Sequence, residues 1–418
     1  MEEVRNIKNI LENIDKDHFY LLTEVGKISK EINQKSYLVG GMVRDLLLGF
    51  DNLDIDIVVE DNAALLADAL ISKIPNCELS AKHDRFHTAK VIFNINGKKI
   101  PVDLASTRTE TYEFPGALPS VQRTNSLKED LNRRDFTINA LAVSLLPDSF
   151  GNIVDSFGGL EDLKNKKIKV VPNENIFTDD PTRMIRAIRF ATKFNFEIEE
   201  KTKALLEKAM SSGKFDNLIE KIRGDRVKIE IRYLFNLPNI EQAIKIFFES
   251  KVYRMVSTKL MEPESRRVRE SESWLVALAF IINKINNNEQ EKIMKNLQMT
   301  GDEIKIITSA FNANKLLLEN KNPDSLFIYK LLKGLSNQSI EILKILCKDV
   351  ACNVSPIDEY LNNTSKIKLH ITGQDLISMG IPSGKQIGEI LDKVLEAKIN
   401  NPNMTKDDEL KEAKKFLL

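Results

Sequence analysis

The first part of the chain alternates between helical and strand-like patterning, and from about Asp179 the pattern is helical throughout. Val4, Ile7, Ile10, Leu11 and Ile14, then Leu21, Leu22, Val25 and Ile28, recur at helical spacing and predict two helices within residues 4–34. Tyr37–Val39 is a short apolar run broken by Gly40-Gly41. Met42–Leu48 returns to helical spacing, and Leu53–Val59 alternates as a strand. Asn62–Ile74 reads as a helix, and His87–Asn94 and Lys99–Ala105 alternate as strands around Asn96-Gly97, a hairpin signal. Ser106–Asp130 keeps no period and is interrupted by Pro115, Gly116 and Pro119; a connection this long is expected to be functional or disordered. Leu131–Val143, with Leu131, Phe136, Ile138 and Leu141 apolar, is expected as a helix packed on a sheet. Asp155–Val171 is expected as a connector ending in a short strand. Pro181–Phe194, Lys201–Met210, Lys221–Asn236 and Ile240–Glu249 open a series of helices that runs to the end. The fold class is therefore α+β: a small α/β head followed by a long all-helical arm.

At 418 residues the chain exceeds one compact core, and roughly two to four domains are expected. Lys+Arg and Asp+Glu both number 61, so net charge argues neither for nor against a nucleic-acid partner. Cys77, Cys347 and Cys352 have no metal-ligand or redox spacing. The charged N-terminus lacks a signal-peptide apolar core, and no run reaches membrane-spanning length, so a soluble, cytoplasmic protein with no membrane partner is expected.

The chemistry concentrates in Tyr37–Glu60, YLVGGMVRDLLLGFDNLDIDIVVE. Side chains two apart share a strand face, so Asp54 and Asp56 point one way while Ile55 and Ile57 point the other. Two carboxylates on one face repel unless a cation sits between them, and Mg²⁺ favours carboxylate oxygens completed by waters and substrate phosphates. A solvated acidic edge strand is the alternative. Gly40 and Gly41, opening a helix that carries Arg44, tip the balance, because glycine-turn amides and a guanidinium suit a phosphate. Asp103 on the later strand is either a third carboxylate aimed at this site or a surface aspartate. In Leu131–Val143, LNRRDFTINALAV, Arg134 and Asn139 have the chemistry to bond phosphate and ribose, or the polar residues simply open a helix.

Phe177–Phe194 is FTDDPTRMIRAIRFATKF. Proline favours the first helical position, which places Pro181 there and makes Asp180 the N-cap. Arg183, Arg186 and Arg189 then cover one broad face. One reading is a capped helix with a solvated basic stripe. The other sets Asp180 and Arg183 side by side as acceptor and donor for the Watson–Crick edge of cytosine or adenine, whose amino group lies beside a ring-nitrogen acceptor. Guanine and uracil present the reverse pattern, and mismatched buried polar groups are rejected by roughly 10³-fold or more. Arg186 and Arg189 would then face phosphates.

LVGGMVRDLLLG…LDIDIVVE, RRDFTINA and DDPTRMIRAIRF, in this order, resemble the motifs of class II tRNA nucleotidyltransferases, the CCA-adding enzymes of bacteria and eukaryotes; bacterial poly(A) polymerases share the head. The match covers roughly residues 35–235, with a weaker echo in Ile371–Leu391, ITGQDLISMGIPSGKQIGEIL. The resemblance implies a polymerase-beta-like head with a mixed sheet and an elongated helical arm. It divides the chain into an N-terminal helical extension (1–34), the nucleotidyltransferase head (35–160), a helical neck that reads the base and binds RNA (161–255), a helical body (256–365) and a tRNA-binding tail (366–418). It implies an enzyme that adds CCA to the 3′ end of tRNA from CTP and ATP, with Mg²⁺ held by Asp54 and Asp56 and Asp103 as base or third ligand. Gly40, Gly41, Arg44 and Arg134 match triphosphate contacts, and Asp135 and Asn139 lie near the sugar. Asp180 and Arg183 match the amino-acid template for the base, Arg186 and Arg189 the phosphate-side arginines, and Arg226 and Glu230 a structural motif of the neck. Asp179 stands where the family usually has glutamate. Ser106–Asp130 matches the loop that helps the site switch from CTP to ATP, and its full length disfavours a CC-only enzyme. Lys164, Lys166, Lys167, Lys169, Lys221, Arg223 and Lys228 are candidate backbone contacts for tRNA, as are the amides of Gly380–Lys385.

Competing readings are an A-adding enzyme, a poly(A) polymerase, or a catalytically silent RNA-binding module; monomer and homodimer are both open. A phosphohydrolase is discounted, because His83-Asp84 is the one His-Asp dipeptide and no helical His/Asp array accompanies it.

Overall fold

The computed structural model describes residues 6–83, 86–263, 273–320, 322–350 and 352–416. Val4, in the first expected helix, and Asp84, of the His-Asp dipeptide, lie outside the described residues. The chain forms two compact units, Met1–Thr258 and Lys259–Leu418.

The first unit carries nine strands that matter here: β1 (Lys35–Val39), β2 (Ile55–Glu60), β3 (Cys77–His83), β4 (Thr88–Ile95), β5 (Lys98–Ser106), β6 (Arg108–Thr111), β7 (Ser120–Arg123), β8 (Leu141–Ser144) and β9 (Ile153–Asp155). Seven make one sheet in the order β3-β4-β5-β2-β1-β8-β9. Only β2 and β5 run parallel, so the sheet is mixed, and their register sets Asp56 beside Asp103. The β4–β5 hairpin turns at Asn96 and Gly97, whose φ of 50° and 78° are the left-handed values this turn requires.

Two expectations are corrected. Of the two expectations for Ser106–Asp130, functional or disordered, disorder does not hold: β6 and β7 pair as a separate ribbon, Arg108 opposite Arg123 through Thr111 opposite Ser120. Leu131–Val143 is not a helix. A short helix, Leu127–Asn132, precedes it, a 3₁₀ turn covers Thr137–Asn139, and the apolar run then forms β8 between β1 and β9. The helix stops because the Asp135 carboxylate takes the Phe136 amide at 2.8 Å, a side-chain bond that competes with helix continuation. All four residues of β8 are buried, and the unbroken apolar run suits a strand covered on both faces better than a one-sided helix.

Helices Lys8–Glu12 and Lys16–Glu31 precede β1, as the periodicity predicts. The second of them crosses the sheet so closely that a Cβ on Gly26 would lie 1.8 Å from the Leu145 carbonyl oxygen. Beyond the sheet, Thr182–Phe194, Glu200–Ser211, Gly224–Phe235 and Ile240–Glu249 pack as helices. The exception to the helical pattern here is Glu197–Ile198, which pairs parallel with Lys167–Ile168. The second unit is helical among the described residues. Every residue of Trp274–Ile282 is buried, and separate apolar clusters centre on Leu332, Leu343 and Ile357 and on Leu376 and Val394. No described helix is long and apolar enough to cross a membrane.

Candidate functional site

A cavity of about 710 Å³ in the first unit is lined by residues from the β1 turn, β2, the β6–β7 ribbon, the Arg133–Asn139 turn and the helices Thr182–Phe194 and Gly224–Phe235. Gly40, Gly41, Arg44, Asp54, Asp56, Arg134, Asp135, Asn139, Asp180, Arg183, Arg186 and Arg189 all line it. Asp103 does not. It faces an adjoining cavity of about 530 Å³, which shares Asp56, Arg133 and Arg134 with the first.

Gly40 leaves β1 at φ 78°, a conformation other residues avoid, and brings the backbone beside Asp56 and Arg134: a Cβ there would sit 3.5 Å from each side chain. The strand begins at Ile55, so Asp54 stands just before it, its amide donating to Asn52 Oδ1 at 3.0 Å. Protein crowds Asp56 although the cavity keeps it open to solvent. That loss of water, then the charges of Asp54 and Asp103, push its carboxyl up to about 6 against the pull of Arg134 and Lys90. Lys90 donates to Asp103 at 2.9 Å.

The arginines are held rather than loose. Arg44 is buried, donates to Asp45 and Asn139, and stacks over Phe190 and Phe194 at 4.9 and 4.8 Å from the ring centres. Arg134 reaches the Asp130 carboxylate at 3.3 Å, while its buried Nε has no partner. Arg186 Nε donates to Asp135 at 2.7 Å and its Nη1 to Glu230 at 3.1 Å; Arg189 donates to Glu230 at 2.9 Å. Burial alone would raise the Asp135 carboxyl, but Arg186, the Asn139 amide and Arg183 hold it well below the usual carboxylate range.

Pro181, not Asp180, takes the cap position of Thr182–Phe194, one residue later than expected. Asp180 Oδ1 still accepts the Thr182 amide at 3.1 Å, so it ties the first turn while lining the cavity. Arg183 Nη2 donates to the Arg133 carbonyl at 2.7 Å and to the Tyr112 hydroxyl at 3.4 Å.

Glu110, Tyr112, Thr182, Phe190, Lys193 and Arg133 also line the cavity, beyond the residues that the sequence motifs point to. In the ribbon, Arg108, Glu110 and Tyr112 alternate with Thr109 and Thr111, a strand signal in the sequence that the nearby prolines and glycine mask. Arg226 and Glu230, expected as structural, line the cavity themselves. Eight cationic and six acidic side chains make the lining, a surface suited to a polyanion with one acidic corner.

Residues 36–169 match the model of the poly(A) polymerase head domain, and residues 266–413 that of the putative tRNA nucleotidyltransferase domain 2. The CCA-adding enzyme of Lactobacillus helveticus is 30% identical, covering 88% of this chain and 89% of its own length. The chain belongs to the tRNA nucleotidyltransferase family. The Thermotoga maritima CCA-adding enzyme complexed with tRNA superposes with a TM-score of 0.80 at 31% identity, covering 99% of each chain. The A-adding tRNA nucleotidyltransferase of Geobacter sulfurreducens is 34% identical over 94% of this chain, which spans about half (46%) of that relative's length. Asp54, Asp56, Asp103 and Arg134 fall within the head match of this nucleotidyltransferase, and Asp180 and Arg183 lie beyond its end.

Proposed function

We propose that this protein adds CCA to the 3′ end of tRNA from CTP and ATP, without a nucleic-acid template, releasing pyrophosphate. One observation carries the reading: the acidic pair, the clustered arginines and the Asp180–Arg183 pair come from distant segments and line one cavity. The solved CCA-adding relative with tRNA lends support, as does a solved complex of a CCA-adding enzyme with CTP at 31% identity and a TM-score of 0.78.

The donor set fits Mg²⁺. Asp54 and Asp56 offer hard oxygens, and lost solvent and then the neighbouring Asp54 charge raise the Asp56 carboxyl, so a cation between the two would favour their ionised forms. Among the described residues no group of three or more His, Cys, Asp or Glu side chains is placed to hold a metal, so substrate oxygens would complete the shell around the pair. When bound there, the ion neutralises charge on the α-phosphate and the leaving pyrophosphate and lowers the pKa of the attacking hydroxyl.

The chain's own residues do the rest by positioning. Arg134, with an unpartnered buried Nε, and Arg44 bind the triphosphate; Asn139, braced by Asp135 at 2.9 Å, sits at the sugar. Asp180 accepts from the exocyclic amine of cytosine or adenine, and Arg183 donates to the adjoining ring nitrogen. The acceptor's 3′ oxygen bonds to the α-phosphorus as the bond to the β-phosphate oxygen breaks. Pyrophosphate leaves with that electron pair, and the hydroxyl proton passes to water or to Asp103, which serves as base or as a third ligand beside Asp56.

An A-adding activity is the second reading, favoured by the Geobacter relative. The deciding experiment supplies tRNA transcripts ending before the first C, after C and after CC, with single and mixed nucleotides, and sequences the products. Extension of all three transcripts to CCA supports the first reading. Extension of the CC transcript alone supports the second, and no extension of any overturns both.

A further inference from the structure

The two carboxylates of the acidic pair are held by different means. Asp56 lies within β2, which pairs with β5 from Ile55 onward. Asp54 precedes the strand and is exposed, so the sheet does not set where its carboxylate stands. Asn52 ties it down: its Oδ1 accepts the Asp54 amide at 3.0 Å. The other half of the same side chain reaches elsewhere. Asn52 Nδ2 donates to Asp45 Oδ2 at 2.8 Å, and Arg44 Nε donates to Asp45 Oδ1 at 2.7 Å. Asp45 and Arg44 are buried, whereas Asn52 is half-buried and lines neither of the two cavities above. One amide group therefore joins the segment that carries Asp54 to the helix Gly41–Leu47 that carries Arg44.

The local fold puts it there. The helix ends on Gly49 at φ 76°, with the Gly49 amide donating to the Leu46 carbonyl at 3.1 Å and the Phe50 amide to the Asp45 carbonyl at 2.9 Å. Asp45 thus holds the departing chain first through its backbone and, two residues on, through its carboxylate. Arg44 Nη2 and Asn52 Nδ2 converge over Gly41, 3.4 and 3.5 Å from the place a Cβ would occupy. The Asp45 carboxylate needs a donor and the Asp54 amide needs an acceptor, and a side-chain amide supplies both. We propose that Asn52 is a positioning residue that sets the spacing between the metal-binding carboxylate Asp54 and the triphosphate-binding Arg44. Ion and triphosphate meet these two side chains together, so the spacing decides how far each strengthens the binding of the other. This rests on the nucleotide-transfer reading above, and the measurements below separate the two.

The full-length protein is compared with Asn52→Ala and Asn52→Ser. Alanine removes both bonds. Serine keeps an acceptor two residues before Asp54, enough for a local turn, but its short side chain does not span to Asp45. The probe is Mn²⁺, followed by electron paramagnetic resonance, with and without an ATP analogue in which a methylene replaces the oxygen between the α- and β-phosphates. No turnover is needed. In the wild type the analogue is expected to tighten Mn²⁺ binding. Both variants are expected to lose about 10-fold of that tightening, with tRNA affinity by filter binding within about twofold of wild type. With ATP and a tRNA transcript ending in CC, kcat should fall by about 10-fold in both while the KM for the transcript holds. Serine behaving as wild type overturns the proposal, because Asn52 then only forms the turn. Undiminished tightening in Asn52→Ala overturns it as well, as does a loss of tRNA affinity in both variants, which would mark a fold defect. A wild type in which the analogue does not tighten Mn²⁺ overturns the metal assignment and this proposal with it. Tightening in a wild type that transfers nothing would instead overturn the nucleotide-transfer reading alone.

Discussion

Arg226 Nη2 donates to Asp180 Oδ2 at 2.8 Å, across 46 positions of sequence. The same guanidinium donates through Nη1 to the Gly116 carbonyl at 3.0 Å, in the middle of the connection between β6 and β7. One side chain therefore holds both the carboxylate proposed to read the base and the backbone of the β6–β7 connection. Arg226→Ala is expected to lower kcat/KM for CTP and ATP by roughly 10- to 100-fold, because a charge-assisted bond of about 1.5–3 kcal/mol is lost. Misincorporation of UTP should rise as well. Arg226→Lys should recover little, since an ammonium cannot bond both partners in a fork. Competition assays with paired nucleotides measure both effects; unchanged discrimination would reduce Arg226 to a packing residue.

Arg183 carries the stricter demand. Its guanidinium is oriented by the Arg133 carbonyl and the Tyr112 hydroxyl, so the direction of its free donors is set before a base arrives. Arg183→Ala should blur the choice among the four nucleotides by about 10²-fold or more, with melting temperature nearly unchanged. Primer-extension yields with each nucleotide alone give the ratio. If selectivity persists, Asp180 and Arg183 act only to secure the helix.

Asp54→Ala and Asp56→Ala should each abolish incorporation, by about 10³-fold or more, while tRNA affinity by filter binding stays near wild type. Among the described residues neither carboxylate is hydrogen-bonded to another element of the sheet, so a melting temperature at or above wild type is expected to accompany the loss of activity. Normal turnover in either variant removes the metal assignment.

The parts of this site legible in the sequence are those where local pattern and chemistry coincide. The glycine turn, the acidic strand and the arginine helix each announce themselves within about a turn or a strand length, and the cavity collects them. What was hidden depends on pairing over distance. The ribbon exists because Arg108–Thr111 meets Ser120–Arg123 across prolines that read locally as disorder. The run Leu141–Ser144 becomes a strand because β1 and β9 flank it and both its faces are covered, none of which helical spacing can report. Glu230 reads in the sequence as a structural position of the neck, yet it neutralises Arg186 and Arg189 together, and only the packing of two helices reveals that.

Gly26 tests the closeness of the N-terminal helix to the sheet. With the Leu145 carbonyl oxygen 1.8 Å from the place a Cβ would occupy, Gly26→Ala must push the helix Lys16–Glu31 off the end of β8. Overpacking against backbone costs about 1–3 kcal/mol, and with the contact this short the upper part of that range applies, outweighing the roughly 1 kcal/mol that alanine gains over glycine in helix propensity. Urea denaturation should show that loss; a stability equal to or above wild type would mean the helix sits farther out.

Asp56 links the acidity of the site to stability. Its carboxyl ordinarily titrates near 3.8 and here is pushed up to about 6, by lost solvent and then by Asp54 and Asp103. The folded protein therefore holds that proton more tightly than the unfolded chain, so this group's contribution to stability falls as pH rises from about 4 to 6 and stays lost above. Asp56→Asn removes the repulsion. At pH 7.5 without divalent cation it should raise the melting temperature, by on the order of 2 °C given the solvent access of the carboxylate, and the gap should close near pH 4. Added Mg²⁺ should stabilise the wild type and not the variant, and that stabilisation should weaken below pH 6 as protons compete for the same oxygens. Thermal melts across pH, with and without Mg²⁺, measure all three. A Mg²⁺ response of equal size in Asp56→Asn would place the cation elsewhere.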